Sequence, residues 1–234
     1  MAGGLFITGT DTGIGKTVVA RLIVRSLVAS AVRVAVMKPV AAGGIMTEQG
    51  LRNEDALGLI ADCNVVMPYA TVNPYCLSAP VSPHLAARDT GVSIGLPTIQ
   101  RQFRTLAAAA DVVIVEGAGG WLAPLNDHQF IADLAMALEL PVVLVVGLRL
   151  GCLNHALLSA QAIRQRGASL AGWIGNQIDP GFARLPENVG TLEQHLRMPP
   201  IAIVAHAAHR HEAGRLAGAA VAALMHAATP KQLT

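Results

Sequence analysis

The chain has 234 residues, 53% of them hydrophobic and 14% charged, with a net charge of +2 at neutral pH. So apolar a sequence can bury a large core, which excludes the disordered class. Its weak charge bias gives no electrostatic handle on nucleic acid or an anionic membrane surface. The cysteines Cys63, Cys76 and Cys152 form no CxxC pair and are expected as free thiols in a reducing, cytoplasmic setting, not as a disulfide or zinc framework. The first residues lack the basic start and apolar core of a signal peptide. No apolar run reaches the roughly 18 residues of a membrane helix; PVVLVVGLRLGCLNHALL comes nearest and is interrupted by Arg149, Asn154 and His155.

The first predicted strand, GLFIT, runs into GTDTGIGKT and then a helix over about residues 16–30. Glycines between a strand and a helix let successive N–H groups converge on an anion, and the helix N-terminus adds unpaired donors. In a phosphate loop Lys16 reaches the β- and γ-phosphates and the Thr17 hydroxyl ligates magnesium, with Gly13, Ile14, Gly15 and Val18 around them. The spacing departs from the standard four residues: five separate Gly9 from Gly15, and Thr10 holds the first glycine position. Asp11 would repel bound phosphates unless it turns away or caps local N–H groups. Thr12, a small hydroxyl at the loop tip, can face a phosphoryl acceptor.

The second strand, RVAVMKP, ends at Lys38 and Pro39. A strand-end lysine either snorkels to solvent or, beside a phosphate loop, steadies an anionic acceptor. Asp55, in LRNEDALGL, opens a helix over residues 54–62, where it either compensates the helix dipole or serves as an oxygen ligand for magnesium. ATVNPYCL reads as a further strand, with helices after it at 83–89 and 97–109. DVVIVE then places Glu116 at a strand tip, the setting of a Walker-B acid, and Gly117, Ala118 and Gly119 permit close backbone approach. A helix at 129–139 leads to the strand PVVLVV, and LRLGCLNH holds a Gly-Cys turn before a helix at 153–167, either a connector or an anion site. Asn176 closes the strand SLAGWIGN, where it caps a turn or pairs with an adenine edge. A helix at 186–197, the strand PPIAIVA, an exposed polar edge at AHAAHRH and a helix at 210–227 complete the chain.

Strands apolar on successive residues, alternating with helices throughout, predict a single-domain, doubly wound α/β fold over residues 1–234, its mainly parallel sheet covered on both faces. Ligands in such a fold bind beyond the carboxyl ends of the strands.

GTDTGIGKT, MKPVAAG, GLRNEDALGL, YATVNPY, SPH, VEGAGGW, LVVGLRLGCLNHALL and LAGWIGNQ, in this order, resemble the dethiobiotin synthetases, phosphate-loop enzymes of biotin biosynthesis. The resemblance runs from about residue 5 to about residue 180 and includes the lengthened loop. It implies ATP, CO2 or bicarbonate and 7,8-diaminononanoate as substrates, magnesium as cofactor, and a homodimer with its sites at the interface. One amine takes up CO2 as a carbamate; the carbamate attacks the γ-phosphate of ATP to give a carbamic–phosphoric anhydride; the second amine closes the ureido ring. By position, Lys38 matches the lysine that steadies the carbamate and Lys16 the one spanning both reacting groups. Thr17, Asp55 and Glu116 match the magnesium site. Asn176, with Gln177 beside it, matches the adenine contact. Thr12 and Ala42 lie on the substrate side, and Gly151, Cys152, Leu153 and Asn154 match the helix start that receives the substrate carboxylate across the interface. The sequence departs from the family at Ala42, where a serine is frequent, at Gly13, where an acidic residue is common, and in AVAHAAHRH, which lacks a Pro-Trp-like stretch.

Two other classes fit less well. Amide ligases acting on cobyrinic acid carry a glutaminase domain, for which this chain has neither the length nor a Cys–His centre. Partitioning-type ATPase switches often place a lysine early in the loop, where this chain has Thr10, Asp11 and Thr12, and they carry a basic C-terminal anchor that residues 212–228 do not offer.

Overall fold

A computed structural model describes residues 3–206 and 216–229 of the chain. Six strands, β1 (Gly3–Gly9), β2 (Val34–Met37), β7 (Val112–Glu116), β8 (Val142–Leu148), β9 (Leu170–Gln177) and β10 (Ala202–Val204), form one sheet in the order β10-β9-β8-β1-β7-β2. Every pairing in it is parallel. They are the runs GLFIT, RVAVMKP, DVVIVE, PVVLVV, SLAGWIGN and PPIAIVA of the sequence. Helices α1 (Lys16–Ala29), α2 (Glu54–Asp62), α5 (Leu96–Ala109), α6 (Ile131–Ala137), α7 (Cys152–Gln165) and α8 (Leu185–Leu196) connect them, and α9 (Gly218–Ala228) packs against the start of β1.

Strands β1, β7 and β8 are buried at every residue, which is why they read as unbroken apolar runs and not as alternating ones. From β1 the chain crosses to β2, leaves a gap that β7 fills, and then passes to the other side of β1 for β8. That reversal beside β1 is the topological switch point, and it lies next to the predicted phosphate loop. All the strand ends that matter here open on one rim, because all six strands run the same way.

The reading of ATVNPYCL as a strand needs correction. Tyr69–Val72 forms the short helix α3, and only Tyr75–Cys76 (β6) is extended. It pairs with β3 (Val40–Ala41) in a separate two-stranded sheet, outside the main one. Pro74 has no N–H to give a central ladder, which confines the extended part to the two residues after it. A hairpin of β4 (Ile45–Thr47) and β5 (Gly50–Arg52) is absent from the sequence reading, being too short and too exposed to carry a pattern. Helix α4 (Pro83–Asp89) falls where it was expected. The expected helix at 210–227 begins outside the described residues; its described part is α9. The polar edge at AHAAHRH likewise lies outside them after His206. No helix among the described residues is long and apolar enough to cross a membrane.

Candidate active site

The loop after β1 is shaped by two left-handed glycines, Gly13 at φ 73° and Gly15 at φ 80°. Gly15 is the residue before α1, and no side chain caps that helix, so its first N–H groups are available to an anion. Thr12 and Gly13 are exposed at the loop tip, Ile14 is buried beneath it, and Val18 is half-buried in the first turn of α1. The Lys16 ammonium curls back over the loop and donates to the Asp11 carbonyl at 2.7 Å. Asp11 does turn away: one carboxylate oxygen accepts from the Thr12 N–H at 2.7 Å and the other from Arg149 Nη2 at 2.8 Å. Arg149, just past β8, thus supplies the positive partner that a carboxylate in a phosphate loop requires. In the sequence Arg149 stands out only as a break in an apolar run.

Burial, with the nearby Lys38 ammonium, lowers the pKa of Lys16 to about 8. A bound polyphosphate favours the protonated form, so nucleotide affinity without metal is highest below that value. It falls as pH rises through it, and about tenfold is lost between pH 7 and pH 9. Calorimetric titration with ADP over this range checks the expectation; Lys16→Met should remove the slope.

Behind the loop, four elements bring polar side chains together. Glu116, fully buried at the end of β7, accepts on Oε1 from Thr17 Oγ1 at 2.8 Å and from Lys38 Nζ at 2.6 Å. Lys38, just past β2 and also buried, donates a second bond to Asp55 Oδ2 at 2.9 Å from the first turn of α2. Burial alone would lower the pKa of the Lys38 ammonium; Glu116 and Asp55 outweigh it and hold the pKa above the ordinary lysine value. Burial likewise opposes the charge on Asp55, but Lys38 wins and keeps that carboxyl below its usual range. Of the two outcomes open to Lys38, snorkelling to solvent is ruled out by its burial.

The second oxygen of Glu116 is buried without a hydrogen-bond partner, although polar groups so placed are ordinarily satisfied. An orphaned carboxylate oxygen, a neighbouring hydroxyl and the half-exposed Asp55 carboxylate form a hard-oxygen donor set of the kind magnesium takes, with waters for the rest of its coordination. The residues therefore fit a divalent cation.

The remaining predicted residues lie around this centre. Gly117, Ala118 and Gly119 come directly after β7, and Gly119 faces the Thr12 hydroxyl. Ala42, half-buried, accepts on its carbonyl from Asn53 Nδ2 at 3.1 Å. Gly151 is the left-handed residue before α7, and Cys152 is buried, Leu153 half-buried and Asn154 exposed in its first turn. A cavity of about 300 Å³ lies between the start of the loop, residues 120–123 and the flank of α7, lined among others by Thr10, Asp11, Trp121, Leu122, Leu158 and Ser159. At the end of β9, Asn176 is fully buried and its Nδ2 donates to the Ile14 carbonyl at 2.8 Å, so this amide supports the loop from below. Gln177 beside it contacts His206. Cys63, Cys76 and Cys152 are free thiols, and burial pushes Cys63 and Cys152 up in pKa.

A family model described as an AAA domain matches residues 3–210. The chain is 53% identical over 194 residues to the "ATP-dependent dethiobiotin synthetase BioD" of Xanthomonas oryzae pv. oryzae strain PXO99A, covering 83% of this chain and 87% of that one. It is 49% identical over 195 residues to the protein of the same name from Pseudomonas aeruginosa strain UCBPP-PA14, covering 83% and 86%. Among solved structures it is similar to the MinC:MinD cell division protein complex of Aquifex aeolicus, with a TM-score of 0.60, 16% identity and 99% of each chain covered. It is also similar to a ParA family ATPase of Chlorobium tepidum TLS, with a TM-score of 0.57, 12% identity and coverage of 96% and 93%. At these identities the structural likeness speaks for the phosphate-loop α/β fold alone. The sequence likeness, deep and spread over most of both chains, says more: this chain belongs to the dethiobiotin synthetase family.

Proposed function

We propose that this chain catalyses the ATP-dependent conversion of 7,8-diaminononanoate and CO2 to dethiobiotin, ADP and phosphate, as a cytoplasmic enzyme of biotin biosynthesis. The observation that carries the reading is the pair of buried lysines beside one phosphate loop, with Lys38 held by two carboxylates. The extra lysine of a partitioning-type switch belongs to the loop itself, whereas Lys38 stands just past β2, on the side where an anionic acceptor would lie. An enzyme that must bring an anionic acceptor to a polyanion needs an ammonium there.

One amine of the substrate adds to CO2 and loses a proton, leaving a carbamate. A carbamate oxygen then attacks the γ-phosphorus; the O–P bond forms as the bond to the bridging oxygen breaks and ADP leaves. Next, the second amine attacks the carbamate carbon, closing the ring as phosphate departs with the C–O electron pair and the amine sheds its proton. Lys38, kept protonated by its carboxylate partners, offsets the charge of the carbamate, while Lys16 lies towards the phosphates. The N–H groups at the start of α1 hold the transferring group in line, and Thr12 faces the acceptor. Thr17, Asp55 and Glu116 would hold magnesium, which when bound draws charge from the phosphoryl oxygens. The phosphates lie on Gly13–Val18 with Gly117–Gly119 bordering them from the β7 side, and the nucleotide runs the other way, across β8, to the purine at the β9 end by Asn176 and Gln177. Ala42 borders the diamine, and Gly151–Asn154 of a second copy in a homodimer take its carboxylate.

The decisive assay monitors ADP release and product by mass spectrometry, with and without diamine, bicarbonate and magnesium. Expected is release that requires all of them, with one dethiobiotin formed per ADP. Equal ATP turnover with and without the diamine would remove the assignment.

A further inference from the structure

The YATVNPY stretch, with which the proposed chemistry does nothing, sits at the centre of a buried hydrogen-bonded chain. Asn73 and Asn53 are both buried. Asn73 Nδ2 donates to the carbonyl of Lys38, and the Lys38 N–H donates to the Val72 carbonyl at 2.9 Å, so residues 72–73 grip both polar groups of the Lys38 backbone. The Tyr69 hydroxyl donates to Asn73 Oδ1 at 2.8 Å and accepts from the Asn53 N–H at 2.7 Å. Asn53 in turn caps α2 by accepting from the Ala56 N–H at 3.3 Å, and donates to the Ala42 carbonyl. The Arg52 guanidinium covers the Tyr69 ring at 4.2 Å from its centroid. Burial, with the Cys76 sulfur nearby, pushes the phenol up to about 12, so the hydroxyl keeps its proton throughout the working range.

Lys38 and Asp55 come from different elements, and their ammonium–carboxylate contact has no direct backbone support of its own. We propose that Tyr69, Asn73 and Asn53 act as a positioning relay that sets Lys38, Ala42 and Asp55 in register with one another. None of the three is among the residues assigned above to nucleotide, metal or substrate, and none of their side-chain hydrogen bonds goes to the phosphate loop. The relay's effect is therefore separable: loosening it misplaces the acceptor side and the metal carboxylate but not the phosphate cradle. An ångström of misplacement at such groups costs up to about a hundredfold in rate.

The inference rests on the proposed roles of Lys38 and Asp55, and its test is built to fail separately from them. Tyr69→Phe and Asn73→Ala are compared with the unmodified chain in dethiobiotin formation, in ADP affinity with and without magnesium, and in thermal unfolding. Ile99→Val, in the buried core of α5, serves as a control for general loss of stability. Expected for both relay variants is unchanged metal-free ADP affinity, loss of most of the magnesium-dependent gain, and kcat lower by about ten- to a hundredfold. Adding Tyr69→Phe to Asp55→Asn should lower kcat far less than it does alone, because the two act through one group. An unchanged kcat and magnesium gain, a full multiplicative loss in the double variant, or the same kcat loss in Ile99→Val at matched Tm would each overturn the relay. Should the unmodified chain form no dethiobiotin, the assigned reaction fails, while the ADP titrations with and without magnesium still decide the relay.

Discussion

Lys38→Met is expected to lose about 10²–10³ in turnover while still binding ADP through the phosphate loop. Methionine keeps most of the volume of the lysine stem, so the change removes a charge and two hydrogen bonds without opening a large hole. The loss in rate comes from the acceptor's uncompensated charge. A second consequence is structural. Glu116 is fully buried and would be left with only the Thr17 hydroxyl as donor. Stranding one partner of a buried ion pair costs about 3–5 kcal/mol, so the variant should unfold at a markedly lower temperature. Magnesium with ADP should restore much of that stability, because a cation again meets the carboxylate. Turnover by product formation and Tm with and without magnesium–ADP check both halves. Unchanged turnover would end the role given to Lys38. A Tm loss that magnesium–ADP leaves untouched would end the metal role given to Glu116.

Gly15→Ala is expected to be nearly as damaging, for a reason of backbone and not of charge. The residue sits at φ 80°, where an L side chain costs about 1–2 kcal/mol. A Cβ there would also lie 2.2 Å from Asn176 Nδ2. That amide has nowhere to retreat: it is fully buried on β9 and donates to the Ile14 carbonyl in the same loop. Overpacking of this kind adds about 1–3 kcal/mol. The loop must lift, and ADP affinity should fall about a hundredfold, the equivalent of roughly 3 kcal/mol. Gly13→Ala is the matched comparison, with a similar φ of 73° but nothing within 4 Å of the new atom. It should lose about tenfold or less, from conformational strain alone. Equal losses in the two variants, measured by calorimetry, would show that the contact with Asn176 does not set the loop's height.

Much of the molecule was legible without coordinates, and the reasons are local. Strands buried on both faces must be apolar at successive residues, so six runs announced a parallel sheet and came together as one. In a parallel sheet every strand's carboxyl end reaches the same rim. Polar residues that end such runs, Lys38 after VAVM, Glu116 after VVIV and Asn176 after GWIG, were therefore bound to converge beside the glycine loop. ATVNPYCL misled because a β-branched composition cannot tell a turn of helix with two extended residues after it from one short strand.

What tertiary structure decided are contacts between residues far apart in the chain. Asp11 was a puzzle in sequence because its partner, Arg149, is 138 residues away, and no periodicity links a loop tip to the far end of another strand. Asn176 carries nothing in its surroundings that marks it as the support under Ile14, 162 residues earlier. The Tyr69–Asn73–Asn53 chain was likewise invisible, since nothing in YATVNPY marks which of its polar side chains turn inward. Apolar patterning records which face of an element is buried, and so it carries the fold. Hydrogen-bond partners are chosen by distance and direction once the fold has closed, and only the assembled chain holds that information.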